Sequence, residues 1–109
     1  MKLTRLTFVC CLLGACSREA PLPAIAAGLP DNEQAGQRIF DERLRSAYPK
    51  GTPIATLKQA LGEQGFKVSE NRADLHRSHF PCDIGWTVQW KVAGTLVANV
   101  QGFYGRACP

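Results

Sequence analysis

Trp86, Val88, Trp90 and Val92 stand at every second position, with Thr87, Gln89 and Lys91 between them. A period of two marks a strand that buries one face and wets the other. A second run, Thr95 to Tyr104, follows at once, so 81–109 reads as an antiparallel hairpin. Parity then constrains the loop, because the even-numbered tryptophans can share a face with Leu96, Ala98 and Val100 only if an odd number of residues separates the strands. A three-residue Val92-Ala93-Gly94 loop satisfies this, with glycine at the left-handed position. It pairs Trp90 with Leu96, Val88 with Ala98 and Trp86 with Val100, and sets Gly102 opposite Ile84. On that inward face the two tryptophans are expected to be core, an interface anchor being the rival reading.

A chain of 109 residues with 45% hydrophobic and 20% charged content has room for one globular domain. The formal charge is +4, and falls to +2 if Lys2 and Arg5 are removed with a leader, leaving eleven basic against nine acidic residues. That is too weak and too scattered for a nucleic-acid partner, and none is expected. No repeat is visible, and no run approaches the roughly 20 apolar residues of a membrane-spanning helix.

The first sixteen residues, MKLTRLTFVCCLLGAC, carry two cations, an apolar run from Leu6 to Leu13 and then small residues. This is the three-part pattern of a secretory signal. Its ending, Leu13-Gly14-Ala15-Cys16, resembles the lipobox of bacterial lipoproteins. The resemblance implies a signal peptide over 1–15, cleavage before Cys16, diacylglycerol on the Cys16 thiol and an acylated amine. Two or three chains, at about 0.8 kcal/mol per buried CH₂, would hold the protein on a membrane where one would not. Ser17 rather than aspartate after the cysteine implies the periplasmic side of the outer membrane rather than the inner membrane. Residues 16–30, with Pro21, Pro23 and Pro30, then read as a semi-extended tether, although Leu22, Ile25 and Leu29 offer apolar side chains that could dock on the domain or a partner.

Loss of Cys10 and Cys11 with the leader and acylation of Cys16 leave an even pair, Cys82 and Cys108, in an oxidising compartment. A disulfide between them is expected, closing about 27 residues and stabilising by roughly 3 to 4 kcal/mol.

Within the domain, 31–109, a first helix is expected over 32–47. Asp31 is its cap, Phe40, Leu44 and Ala47 its apolar stripe, and Arg38, Asp41, Glu42, Arg43 and Arg45 its solvated face. A second begins with Thr52 as cap and Pro53 at the first helical position, packs Ile54, Leu57 and Leu61 inward and stops at Gly65. Phe66 and Val68 suggest a short strand. The fold class is α+β: two helices on one face of a three-stranded antiparallel sheet that ends in the disulfide-stapled hairpin. The sequence Gly51-Thr52-Pro53, then Leu57 and Leu61-Gly62, followed by a tryptophan-bearing hairpin, resembles the small outer-membrane lipoproteins of the BamE type, also called SmpA/OmlA. That family has two helices before its sheet, and its members belong to or resemble parts of the machinery that inserts outer-membrane barrels. Glu63 in place of a common proline, the long basic segment 70–85 and the cysteine pair depart from its pattern.

The candidate binding patch is Arg72, His76, Arg77 and His79, able as a cationic group to read anionic headgroups, lipopolysaccharide or an acidic partner; a solvated loop beside the sheet is the plainer reading. His76, His79 and Cys82 recur at three-residue spacing, yet the cysteine is committed elsewhere and Phe80-Pro81 breaks a helix, so no metal is expected. No cofactor and no catalytic residue is expected either: Ser69 and Ser78 lack a nucleophile elbow, and Asp74 and Asp83 read as turn caps. The functional expectation is a lipid-anchored periplasmic binding or scaffold module at the cell envelope, contacting a protein through a sheet edge, the 70s loop or the first helix. The alternative is an immunity protein or inhibitor of a toxin or hydrolase.

Overall fold

The computed structural model describes residues 21–109. The expected signal peptide and Cys16 lie outside the described residues. Among the described residues two helices, α1 (Glu33–Ala47) and α2 (Ile54–Glu63), precede four strands, β1 (Lys67–Val68), β2 (Arg72–His79), β3 (Cys82–Ala93) and β4 (Leu96–Ala107). The strands form one antiparallel sheet in the order β1-β2-β3-β4. The α+β class is as expected, but the sheet has four strands rather than three. The segment read as a basic loop is β2, paired with β3 from Arg72↔Gln89 to His79↔Cys82. Its period-2 signal is faint because Ala73 and Leu75 are its only fully buried side chains.

Parity is obeyed by a different device from the one predicted. The β3–β4 loop has two residues, Gly94 and Thr95, with Ala93↔Leu96 closing it. Gly94, at φ +67°, occupies the first central position, where a type II′ turn needs it. The odd residue sits inside β4 instead: the register steps from Lys91↔Asn99 to Val92↔Val97, so Ala98 is a bulge. The pairs are therefore Trp90↔Val100, Val88↔Gly102 and Trp86↔Tyr104, and Gly102 faces Val88 rather than Ile84. Near the turn Val97 is buried in place of Leu96, which is 42% exposed.

The inward face of the sheet, with Ala73, Leu75, Trp86, Val88, Trp90, Val100 and Tyr104, meets Phe40 and Leu44 of α1 and Leu57 and Leu61 of α2. Both tryptophans are core, and the Trp86 and Tyr104 rings lie 5.9 Å apart. Among the described residues neither indole N–H has a hydrogen-bond partner, so these rings act through packing rather than through hydrogen bonds. α1 lies directly over β4 because Gly102 and Gly36 have no side chains. A Cβ at Gly102 would come within 2.5 Å of Leu44 Cδ1, and one at Gly36 within 2.6 Å of the Tyr104 ring.

The caps differ from those expected. Asn32, not Asp31, caps α1, its Oδ1 accepting from the Ala35 N–H at 2.9 Å. Thr52 does not cap α2; its hydroxyl donates to the Pro49 carbonyl. Instead 51–54 runs beside the start of β4, with the Val97 N–H donating to Thr52 O and the Gly51 N–H to Val97 O. Nor is the polar face of α1 merely solvated. Asp41 Oδ1 accepts from the Gly102 N–H at 2.8 Å while its other oxygen pairs with Arg45, and Glu33 Oε2 accepts from the Arg106 N–H at 2.9 Å.

Candidate interaction surfaces

The Cys82–Cys108 disulfide is present and joins β3 to the end of β4. Its placement follows from the ladder. Gly102 and Arg106 direct their N–H groups away from β3, to α1, so Val88↔Gly102 and Ile84↔Arg106 are non-hydrogen-bonded pairs. Cys82 and Cys108 continue that series, where Cα atoms stand closest, and theirs are 4.2 Å apart.

The four residues of the expected patch do not share a face. Strand alternation puts Arg72 and His76 on the helix-free side with Asp74, and Arg77 and His79 on the other, opposite Ile84 and Cys82. Arg72 is committed locally: Nε and Nη2 donate to the two Asp74 oxygens at 3.1 and 2.9 Å, and the Thr87 hydroxyl donates to Asp74 Oδ1 at 2.7 Å. The hydrogen bond from Arg72, above all, holds the Asp74 carboxyl below its usual range against the opposing effect of partial burial. Asp74 and Asp83 lie within strands rather than capping turns, Asp83 accepting from the Ser78 hydroxyl. Beside this network Asn71, Arg72, Gln89, Lys91, Asn99 and Gln101 line a polar concavity of about 310 Å³ on the helix-free face. Among the described residues no group of three or more His, Cys, Asp or Glu is placed to hold a metal ion, and no helix is long and apolar enough to cross a membrane.

Two further features remain, the first not read from the sequence and the second the alternative that Ile25 offered to a free tether. The first is the apolar end of the molecule. Pro53, Ile54, Ala55 and Lys58 of the α2 start face Val92, Gly94 and Thr95 of the β3–β4 turn across a groove of about 480 Å³. Val92 is 55% exposed there. At the opposite end of β3, about 36 Å away at 3.3 Å per residue, the β2–β3 turn is reduced to Phe80 and Pro81, with Phe80 95% exposed. Only the length of the ladder separates these ends, and the periodicity of 86–92 held that signal. What it lacked was the pairing of β2.

The second is the docking of 21–30. This stretch is no free tether: Ile25 and Ala26 are buried, and Arg43 Nη1 donates to the carbonyls of Ala24, Ile25 and Ala27 at 3.0, 3.3 and 2.7 Å. The chain thus enters the domain at a fixed place, where Pro21, Leu22 and Pro23 share a cleft with Gly65, Leu75, His76 and Arg77. Compared with models of known protein families, with curated proteins and with solved structures, the chain matches none.

Proposed function

We infer that this chain is an exported, lipid-anchored envelope protein that works by contact, holding a protein partner on the periplasmic side of the outer membrane. The leader and Cys16 supply the address. A disulfide in a domain this small suits an oxidising compartment. The observation that carries the contact reading is the apolar groove between Ile54 and Val92, at the end of the sheet farthest from the Phe80 turn. Apolar side chains left half in water at a rigid edge are what a partner's apolar segment covers, and Lys58 at the rim supplies a polar border.

A photo-crosslinking residue at Ala55 tests this in cells. The expected result is a discrete adduct with one envelope protein, identified by mass spectrometry and lost when Val92→Asp or Ile54→Asp places a charge in the groove. No adduct, or an adduct indifferent to both charges, refutes the assignment. Intact mass of the mature protein tests the anchor separately: the expected chain starts at Cys16 and carries acyl groups.

A further inference from the structure

We propose that Phe80 is a second membrane contact, entering the interface of a zwitterionic phospholipid bilayer beside the anchor. The proposal rests on the reading of Cys16 as the acylated residue. Its first support is the way the ring is displayed. Phe80 is 95% exposed, and withdrawing a phenylalanine side chain from water is favourable. It stands on no loose loop: β2 and β3 pair without a break up to His79↔Cys82, and the Cys82–Cys108 bond ties β4 to the same end. The backbone that carries the ring is thus fixed by the ladder on both sides of the turn.

The second support is where the chain enters. Pro21 to Pro23 lie in the cleft with His76 and Arg77, held by the buried Ile25 and Ala26 and by Arg43. From Arg77 to Phe80 is three strand residues, about 10 Å. From Pro21 back to Cys16 is five residues, a reach of at most about 18 Å. Acyl chains on Cys16 can therefore bring the bilayer surface up to the Phe80 turn, which stands at the opposite end of β3 from the Val92 side of the apolar groove. The residues around the turn are mixed in charge, Asp83 with Arg77 and Arg106, so the contact rests on the apolar ring rather than on attraction to anionic headgroups.

The test uses the acylated mature protein carrying Phe80→Trp, reconstituted in phosphatidylcholine vesicles with or without nitroxide-labelled acyl chains. Trp86 and Trp90 are buried, so the emission added over wild type reports position 80, and the substituted side chain has no contacts to lose. The expected result is a blue-shifted added emission, most of which is lost in labelled vesicles. If intact mass shows acylation and the added emission is unaffected by the label, Phe80 is not at the membrane while the anchor stands. If the mature chain carries no acyl groups, both the anchor and this contact are overturned.

Discussion

Gly102→Ala is the sharpest probe of how α1 sits on the sheet. The added methyl carbon would lie 2.5 Å from Leu44 Cδ1 and 2.8 and 3.1 Å from two Phe40 ring carbons, where ordinary contact begins near 3.4 Å. Neither neighbour can retreat, because Leu44 and Phe40 are both 0% exposed. The helix must lift, and lifting stretches the 2.8 Å hydrogen bond from the Gly102 N–H to Asp41. Overpacking of this kind costs about 1 to 3 kcal/mol. Replacing a glycine also narrows the unfolded ensemble, a gain of about 0.4 to 1 kcal/mol. The expected net loss is about 1 to 2 kcal/mol, read as a fall of roughly 1 M in the urea midpoint. Gly85→Ala is the control, since a Cβ there meets nothing within 4 Å, and it should be neutral or mildly stabilising. In a Leu44→Ala background the same Gly102→Ala change should cost less, because one of the two clashing side chains is cut back while the Phe40 ring remains. Equal midpoints for Gly102→Ala and Gly85→Ala would refute the claim that close approach governs this contact.

Other expectations follow from single contacts. Arg43→Met keeps the apolar stem but removes the donor to three carbonyls, and should cost about 1.5 to 3 kcal/mol while opening 21–30 to limited proteolysis; an unchanged cleavage rate would contradict it. Replacing Cys82 and Cys108 together by alanine should lower stability by about 3 to 4 kcal/mol for their separation of 26 residues, measured by urea unfolding, and a much smaller loss would show that the unfolded chain gains little freedom. Asp74→Asn should lower the midpoint slightly at neutral pH, by no more than about 1 kcal/mol because the pair with Arg72 is largely exposed. The Asp74 carboxyl is depressed when folded, so its contribution is present above the unfolded value near pH 4 and is lost as pH falls through the folded one. The gap between wild type and Asp74→Asn should therefore close in acid, and a gap that widens there would refute the linkage.

The parts of the fold legible in the sequence are those where one side chain type repeats with an unambiguous period. Trp86, Val88 and Trp90 announce β3, and Leu57 with Leu61 announce α2. The cysteine count isolates Cys82 and Cys108 once the expected leader and the expected acylation of Cys16 are set aside. β2 stayed hidden because its inward positions are filled by Ala73 and Leu75, with Arg77 following, so alternation is diluted by a small residue and a charge. The bulge at Ala98 was out of reach for a different reason. Parity demands one extra residue but is indifferent to whether the turn or the strand holds it, and a two-residue turn with Gly94 first suits the strand twist better. The patch divides once its segment is a strand: four residues close in sequence could make one cluster in a loop, but strand alternation sets Arg72 and His76 against Arg77 and His79. Phe80 and Val92 were visible as residues but not as surfaces, because exposure at the two ends of a ladder depends on where pairing stops. The structural duty of Arg43 and Asp41 could not be read from a helical face that looks uniformly charged.

The carboxylates of Asp41 and Glu33 fill amide positions along the outer side of β4, and 51–54 occupies its beginning. A strand bordering a sheet is otherwise a template on which a neighbouring molecule can lay its own strand. Proteins fastened to one bilayer leaflet diffuse in a plane, where copies collide far more often than they would in bulk solution. On the anchored arrangement proposed above, occupying those amides from within the same chain would keep a neighbouring copy from adding its own strand to β4.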